Sequence, residues 1–135
     1  MARLQATLAL TGAPGPAPEI VRVRELFDEV LLCADRPRDH LALEITLVSP
    51  SGPPPLGAIW AALTVARHET VVVAERPGAH LAALATAPGD VVLQEPGQLT
   101  PGCYRRPCLR RLERALRAGQ SGDAVLRGLR VTIAG

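Results

Sequence analysis

The chain has no lysine and no asparagine, and it carries one each of tryptophan, tyrosine, phenylalanine and methionine in 135 residues. All of its fifteen Lys-or-Arg positions are arginine. So few aromatic rings exclude a nucleic-acid reader built on stacked bases, which needs several exposed rings. Leu, Val, Ala and Ile must therefore fill the core. The joint scarcity of Lys, Asn, Phe and Tyr fits a genome that avoids AT-rich codons, although such a bias does not by itself remove a residue that catalysis depends on. Cysteine is also scarce: Cys33, Cys103 and Cys108 make no disulfide framework. His40, His68 and His80 are scattered, so Cys103 and Cys108 read as buried thiols rather than as half of a zinc site. A Cys/His nucleophile pair has no local signature to support it. The longest apolar run on a plausible helix, from Leu56 to Ala66, falls well short of the ~20 residues that span a bilayer, and nothing resembles a signal peptide. The expectation is a cytoplasmic protein with neither nucleic acid nor membrane as its partner.

What is present is a soluble globular composition, 47% hydrophobic and 21% charged, at the length of one domain spanning residues 1–135. Net charge is +2, which implies no partner, but its distribution is uneven. Residues 103–135 hold eight Arg against Glu113 and Asp123, whereas the remainder holds seven Arg against eleven acids. The basic C-terminal third is either a phosphate-attracting surface or a solvated helix face.

Short β-like runs alternate with helical stretches, the pattern of an α/β fold with a largely parallel sheet. Leu4–Thr11 reads as the first strand. Residues 12–18, Gly-Ala-Pro-Gly-Pro-Ala-Pro, form a breaker-rich loop. A helix opening at Pro18 carries an apolar stripe of Ile20, Val23 and Leu26-Phe27. Glu29–Ala34 and Leu41–Val48 read as strands. Residues 49–55, Ser-Pro-Ser-Gly-Pro-Pro-Pro, form a rigid loop that feeds a helix with Leu56, Ile59, Trp60 and Leu63 at helical spacing. The prolines fix the start of that helix or offer a polyproline ligand, the former being the common role. Thr70–Ala74 is β-branched up to its final alanine, as suits a strand covered on both faces. A helix over Ala79–Ala87, a strand over Asp90–Leu93, a helix opening at Pro107 and stopping at Gly119, and a strand over Leu129–Ala134 complete the chain.

Four of these segments, taken in order, resemble the molybdenum-cofactor guanylyltransferases. Residues 27–37, Phe-Asp-Glu-Val-Leu-Leu-Cys-Ala-Asp-Arg-Pro, are similar to that family's second strand and the Asn-Arg pair that follows it. Residues 52–63, opening Gly-Pro-Pro-Pro-Leu-Gly, resemble its Gly-Pro-Leu loop and helix. Residues 71–77, Val-Val-Val-Ala-Glu-Arg-Pro, resemble its strand ending in Cys-Asp-Met-Pro, and residues 102–119 its late strand and helix. The resemblance implies a Rossmann-like, mostly parallel sheet with helices on both faces, of the nucleotide-diphospho-sugar-transferase type, binding GTP at the carboxyl ends of its strands, where ligands of open α/β sheets sit. It implies that Thr11, Gly12, Gly15, Asp35 and Arg36 face the nucleotide, that Gly52, Pro55, Leu56 and Gly57 form the substrate loop, and that Glu75 holds Mg²⁺. Glu75 is equally readable as a solvated acid at a strand end.

The departures are as informative. The family's first loop is glycine-rich and carries Arg and Lys, so that backbone N–H groups and cations grip the phosphates. Here Leu10-Thr-Gly-Ala-Pro-Gly-Pro-Ala-Pro18 keeps Gly12 and Gly15 but has no Arg, Lys or Ser. Its three prolines lack an N–H, and it is too short to wrap a triphosphate. The family's acid before the Gly-Pro-Leu motif is also absent: Ser49 and Ser51 occupy the region, and Glu44 is the nearest carboxylate. Arg36, Arg76 and Arg22 are candidate substitutes for the lysine, though a forked guanidinium and a compact ammonium place charge differently. Two functions follow. One is GTP-dependent guanylyl transfer to molybdopterin with Mg²⁺ as cofactor, impaired or lost. The other is a non-catalytic protein that keeps the sheet and binds a partner protein or a smaller anionic ligand through its arginine-rich C-terminal third. The partners expected are a nucleotide or pterin-phosphate ligand, a protein, or a second copy of the chain.

Overall fold

The structure of the protein is a computed structural model that describes residues 3–12, 17–33, 46–50, 52, 55–120 and 122–134. Strand β1 (Leu4–Leu10) leads to helix α1 (Ala17–Leu26), which runs without a loop into β2 (Phe27–Cys33). β3 (Thr46–Val48) is followed by α2 (Leu56–Val65) and β4 (Thr70–Ala74). A 3₁₀ turn (Ala79–Leu81) and α3 (Ala82–Thr86) lead to β5 (Val91–Leu93). β6 (Gly102–Arg105) and a second 3₁₀ turn (Arg106–Cys108) lead to α4 (Leu109–Ala118), α5 (Gly122–Leu126) and β7 (Val131–Ile133).

The strands form one seven-stranded sheet in the order β3-β2-β1-β4-β6-β5-β7. Every pair is parallel except the two made by β6, which runs antiparallel between β4 and β5. Alternation along the central strands divides the core in two. Ala9, Leu31, Val71 and Val73 face one side, where α2 and α4 bury Ile59, Leu63, Leu112 and Ala115. Leu8, Leu10, Leu32 and Val72 face the other, where α1 and α3 supply Ile20, Val23 and Leu84. Two-sided burial explains why β4 is apolar without interruption. The α/β fold with a mostly parallel sheet and helices on both faces is as the sequence implies. Among the described residues, no helix is long and apolar enough to cross a membrane.

The departures from the sequence reading are local. Phe27, expected in the apolar stripe of α1, is the first residue of β2, and it buries its ring in the same core as Ile20 and Val23. The helix period and the strand period place it on the same side, so the pattern does not mark the junction. Trp60 packs against its core only partly, while Ala58, Ala61 and Ala62 are buried, because α2 lies close to the sheet on its small residues. The expected strand at Leu41–Val48 is described only from Thr46. The short α5 carries no long apolar stripe and went unread. Gly119 ends α4 at φ +66°, the left-handed stop expected of it.

Arginines hold this frame by its backbone. The last carbonyls of a helix lack N–H partners, and a guanidinium fork can reach several at once. Arg105 donates to the carbonyls of Gly89 at 2.6 Å, Ala87 at 2.9 Å and Ala85 at 3.0 Å, closing the end of α3. Arg106 donates to the carbonyls of Ala66 at 2.8 Å and His68 at 3.2 Å beyond the end of α2, and Arg111 donates to that of Arg127. At the amino end of the sheet, the fully buried Thr7 donates to Glu29 at 2.7 Å, and Glu29 also accepts from the Arg67 backbone N–H at 2.9 Å and its Nε at 3.0 Å. Partial burial pushes the Glu29 carboxyl up, but these donors outweigh it and hold the group below the ordinary carboxylate range.

Arg105→Ala is expected to lower unfolding free energy by about 2 kcal/mol in urea titrations, and Arg105→Lys to recover little, because one ammonium cannot serve three carbonyls. The contribution of Glu29 should be complete above the ordinary carboxylate range and fade as pH falls through its lowered folded-state pKa, so Glu29→Gln should flatten the acid limb of a melting-temperature profile.

Candidate functional site

Strands β1 to β4 run in one direction, so the segments that follow them gather at one edge of the sheet. Between β1 and β4 the strand order reverses: the chain leaves β1 for β2 on one side, while β4 lies on the other. That switch point is where open α/β sheets form their ligand crevice. The residues there are Thr11 and Gly12 after β1, and Glu75 and Arg76 after β4.

In this chain the ends of β1 and β4 are joined there by their own backbone. The N–H of Thr11 donates to the Ala74 carbonyl at 2.9 Å, and that of Gly12 to the Glu75 carbonyl at 3.2 Å. The parallel ladder thus continues beyond Leu10↔Ala74. The approach is so close that a Cβ on Gly12 would stand 2.5 Å from the Glu75 carbonyl oxygen. Glycine is required there for backbone contact, and the two amides are turned towards β4. The Glu75 and Arg76 side chains are exposed. Gly15, Asp35 and Arg36 lie outside the described residues.

The segment after β3 reaches the same edge two strands away from β1. There the Gly52 backbone packs on the first turn of α2, so closely that a Cβ on Gly57 would overlap its peptide. Gly52 has φ +122°, and a Cβ on it would meet Leu116 of α4 at 3.0 Å. Leu56 and Gly57 are buried, and Pro55 precedes the helix with no side-chain cap. Of the expected substrate loop, Gly52 lies against α2 and α4, and Leu56 and Gly57 are buried in the first turn of α2. Ser49 is exposed, while Ser51 and Glu44 lie outside the described residues.

A clamp for a metal and a triphosphate needs several carboxylate or phosphate-facing donors at one point. At the switch point the described residues supply one carboxylate, Glu75, and two amides already engaged, in a chain without lysine. These residues do not fit such a clamp. Among the described residues, no three of His, Cys, Asp and Glu come together as metal ligands. The cysteines are buried, and burial pushes the Cys33 and Cys103 thiols up to about 11, so neither supplies a thiolate nucleophile near neutral pH.

The basic C-terminal third is partly occupied with holding structure. Arg105, Arg106 and Arg111 donate to carbonyls, and Arg117 pairs with Glu113 at 3.0 Å on α4. Arg110, Arg114 and Arg127 are exposed and make no ion pair among the described residues. Sequence reasoning missed the carbonyl-binding role of Arg105 and Arg106, because the accepting carbonyls lie 16 to 40 residues away and leave no local pattern.

No family model matches the chain, and no curated protein matches it by sequence. Solved structures do. A protein of Aquifex aeolicus VF5, Aq1419, superposes with a TM-score of 0.72 at 14% identity, over 96% of this chain and 85% of that one. The molybdopterin-guanine dinucleotide biosynthesis protein A of Archaeoglobus fulgidus superposes with a TM-score of 0.60 at 16% identity, over 95% and 82%. The bifunctional IspDF of Campylobacter jejuni gives 0.55 at 11% identity, and this chain, matched over 96%, spans 49% of that protein. At these identities the likeness establishes the fold alone, a mostly parallel α/β sheet shared with these proteins.

Gly12→Ala should force the end of β1 away from β4. The expected cost is about 1–3 kcal/mol, read as a fall in melting temperature, with faster hydrogen exchange at the Thr11 amide.

Proposed function

We propose that this chain is a relative of the molybdenum-cofactor guanylyltransferases that keeps their sheet, has lost guanylyl transfer to molybdopterin, and acts by binding rather than by catalysis. The observation that carries this reading is the pairing of the Thr11 and Gly12 amides with the Ala74 and Glu75 carbonyls. A nucleotide at the switch point needs amides that point at phosphate. These two point at β4, and the prolines at positions 14, 16 and 18 carry no N–H to replace them. The ordered sequence resemblance from residue 27 onward and the likeness in fold to the Archaeoglobus protein support the family relationship.

A second reading retains activity, with Glu75 on Mg²⁺ and an arginine in place of lysine. It is favoured by one observation: Glu75 stands exposed at the tip of β4, at the switch point itself. A partner-binding role for the C-terminal third would use Arg110, Arg114 and Arg127, whose charges are not committed to carbonyls.

Calorimetric titration with Mg²⁺ and GTP, together with an assay of GMP transfer to molybdopterin, separates the two. The expected result is no transfer and no Mg²⁺-dependent GTP binding in the micromolar range. Micromolar binding that Glu75→Ala abolishes would instead establish the second reading.

A further inference from the structure

The opposite edge of the sheet holds a feature that the guanylyltransferase comparison does not use. The amino ends of β1, β2 and β3, together with the residues before β4, bound a cavity of about 500 Å³ lined by Arg3, Arg24, Asp28, Glu29, Thr46 and Arg67, among others. The topology accounts for this gathering. The register Leu4↔Phe27 sets Arg3 beside the start of β2, and Arg24 lies in the last turn of α1, which runs directly into that strand.

The charges of the lining are unevenly committed. Glu29 is engaged by Thr7 and by two donors of Arg67. Asp28 Oδ2 lies 2.8 Å from His68 Nε2. Both carboxylates therefore have partners on the protein. Arg3 and Arg24 line the cavity, are exposed, and make no ion pair among the described residues. Three arginines against two carboxylates leave the lining with a positive excess, and the excess sits on the two uncommitted guanidiniums. A concave site focuses such a field. Each guanidinium can present two parallel N–H donors, and the three terminal oxygens of a phosphate can accept from two such forks at once, where a carboxylate offers only two oxygens. The volume lies within the range of small-molecule sites.

We propose that this amino-edge cleft is a binding site for a phosphate-bearing small molecule, gripped by Arg3 and Arg24. Arg3 stands eight residues before Thr11 along β1, about 26 Å at ~3.3 Å per residue. This site does not rest on the reading of the carboxyl edge, and the two stand or fall separately.

The test is calorimetric titration of the full chain with inorganic pyrophosphate, ribose 5-phosphate and succinate in turn, at low and moderate salt. The expected result is one-to-one saturation by at least one phosphate compound, weaker as salt rises, with succinate binding much less tightly. Which phosphate saturates identifies the source, a diphosphate or a sugar phosphate. The Arg3→Gln/Arg24→Gln double variant should lose roughly ten-fold or more in affinity, while Arg117→Gln on α4, where the side chain is paired with Glu113, should not change it. Should the double variant melt early, Arg3→Gln alone, at the exposed start of the chain, should give the same direction of loss. Failure of both phosphates to saturate, equal binding of succinate, or affinity unchanged by the arginine variants would overturn the proposal.

Discussion

The parallel pairing of β1 with β4 is the constraint on which the remaining architecture depends. Both strands are buried on both faces, so each supplies side chains to both halves of the core. Leu8 and Leu10 bind α1 and α3 to the sheet, while Val71 and Val73 bind α2 and α4. Because the pair is parallel, its connections must cross over with helices, and the segments leaving the strands collect at one edge. The same ladder runs on into Thr11 and Gly12, past the last regular residue of β1. The feature that centres the fold at the switch point therefore also consumes the amides that a phosphate would need there.

An arginine-only set of cations has a structural use in this frame. Helix ends and turns leave carbonyls without N–H partners, and a planar fork on a long stem can satisfy several of them. Arg105 serves three carbonyls and Arg106 two, each drawing a loop on one side of the sheet onto the strand or helix beside it. A part of the positive charge counted in the C-terminal third is thus internal scaffolding. The charge that remains outward divides between α4 and the amino edge of the sheet, where Arg3 and Arg24 lie.

Much of the fold was legible because two-sided burial leaves a plain trace. The run of Thr70–Ala74 became the central β4 with the same bounds, and the helix read from Pro107 to Gly119 is α4, which starts only at Leu109 because Pro107 lies in the 3₁₀ turn before it. Phe27 was misplaced because the end of α1 and the start of β2 bury the same side with no breaker between them. β6 was readable only through family resemblance, since Pro101 and Gly102 mask a four-residue strand whose identity comes from its neighbours β4 and β5. Of the candidate site, the positions of Thr11, Gly12 and Glu75 at one edge followed from strand order. What their backbone groups bond to did not, because a hydrogen-bond partner 63 residues away leaves no local pattern.

The sequence by itself determined the class of fold, the approximate strands and helices, and the absence of lysine and scarcity of amide donors in the first loop. These are properties of composition and of short-range period, which residue types impose directly. Only the tertiary structure decided that Gly12 is spent on contact with Glu75, that Arg105 and Arg106 close helix ends, that Gly52 lies against α2 and α4, and that Arg3 and Arg24 share one cleft. Each of these joins residues distant in the chain, and such contacts exist only once the sheet has set the order and register of its strands.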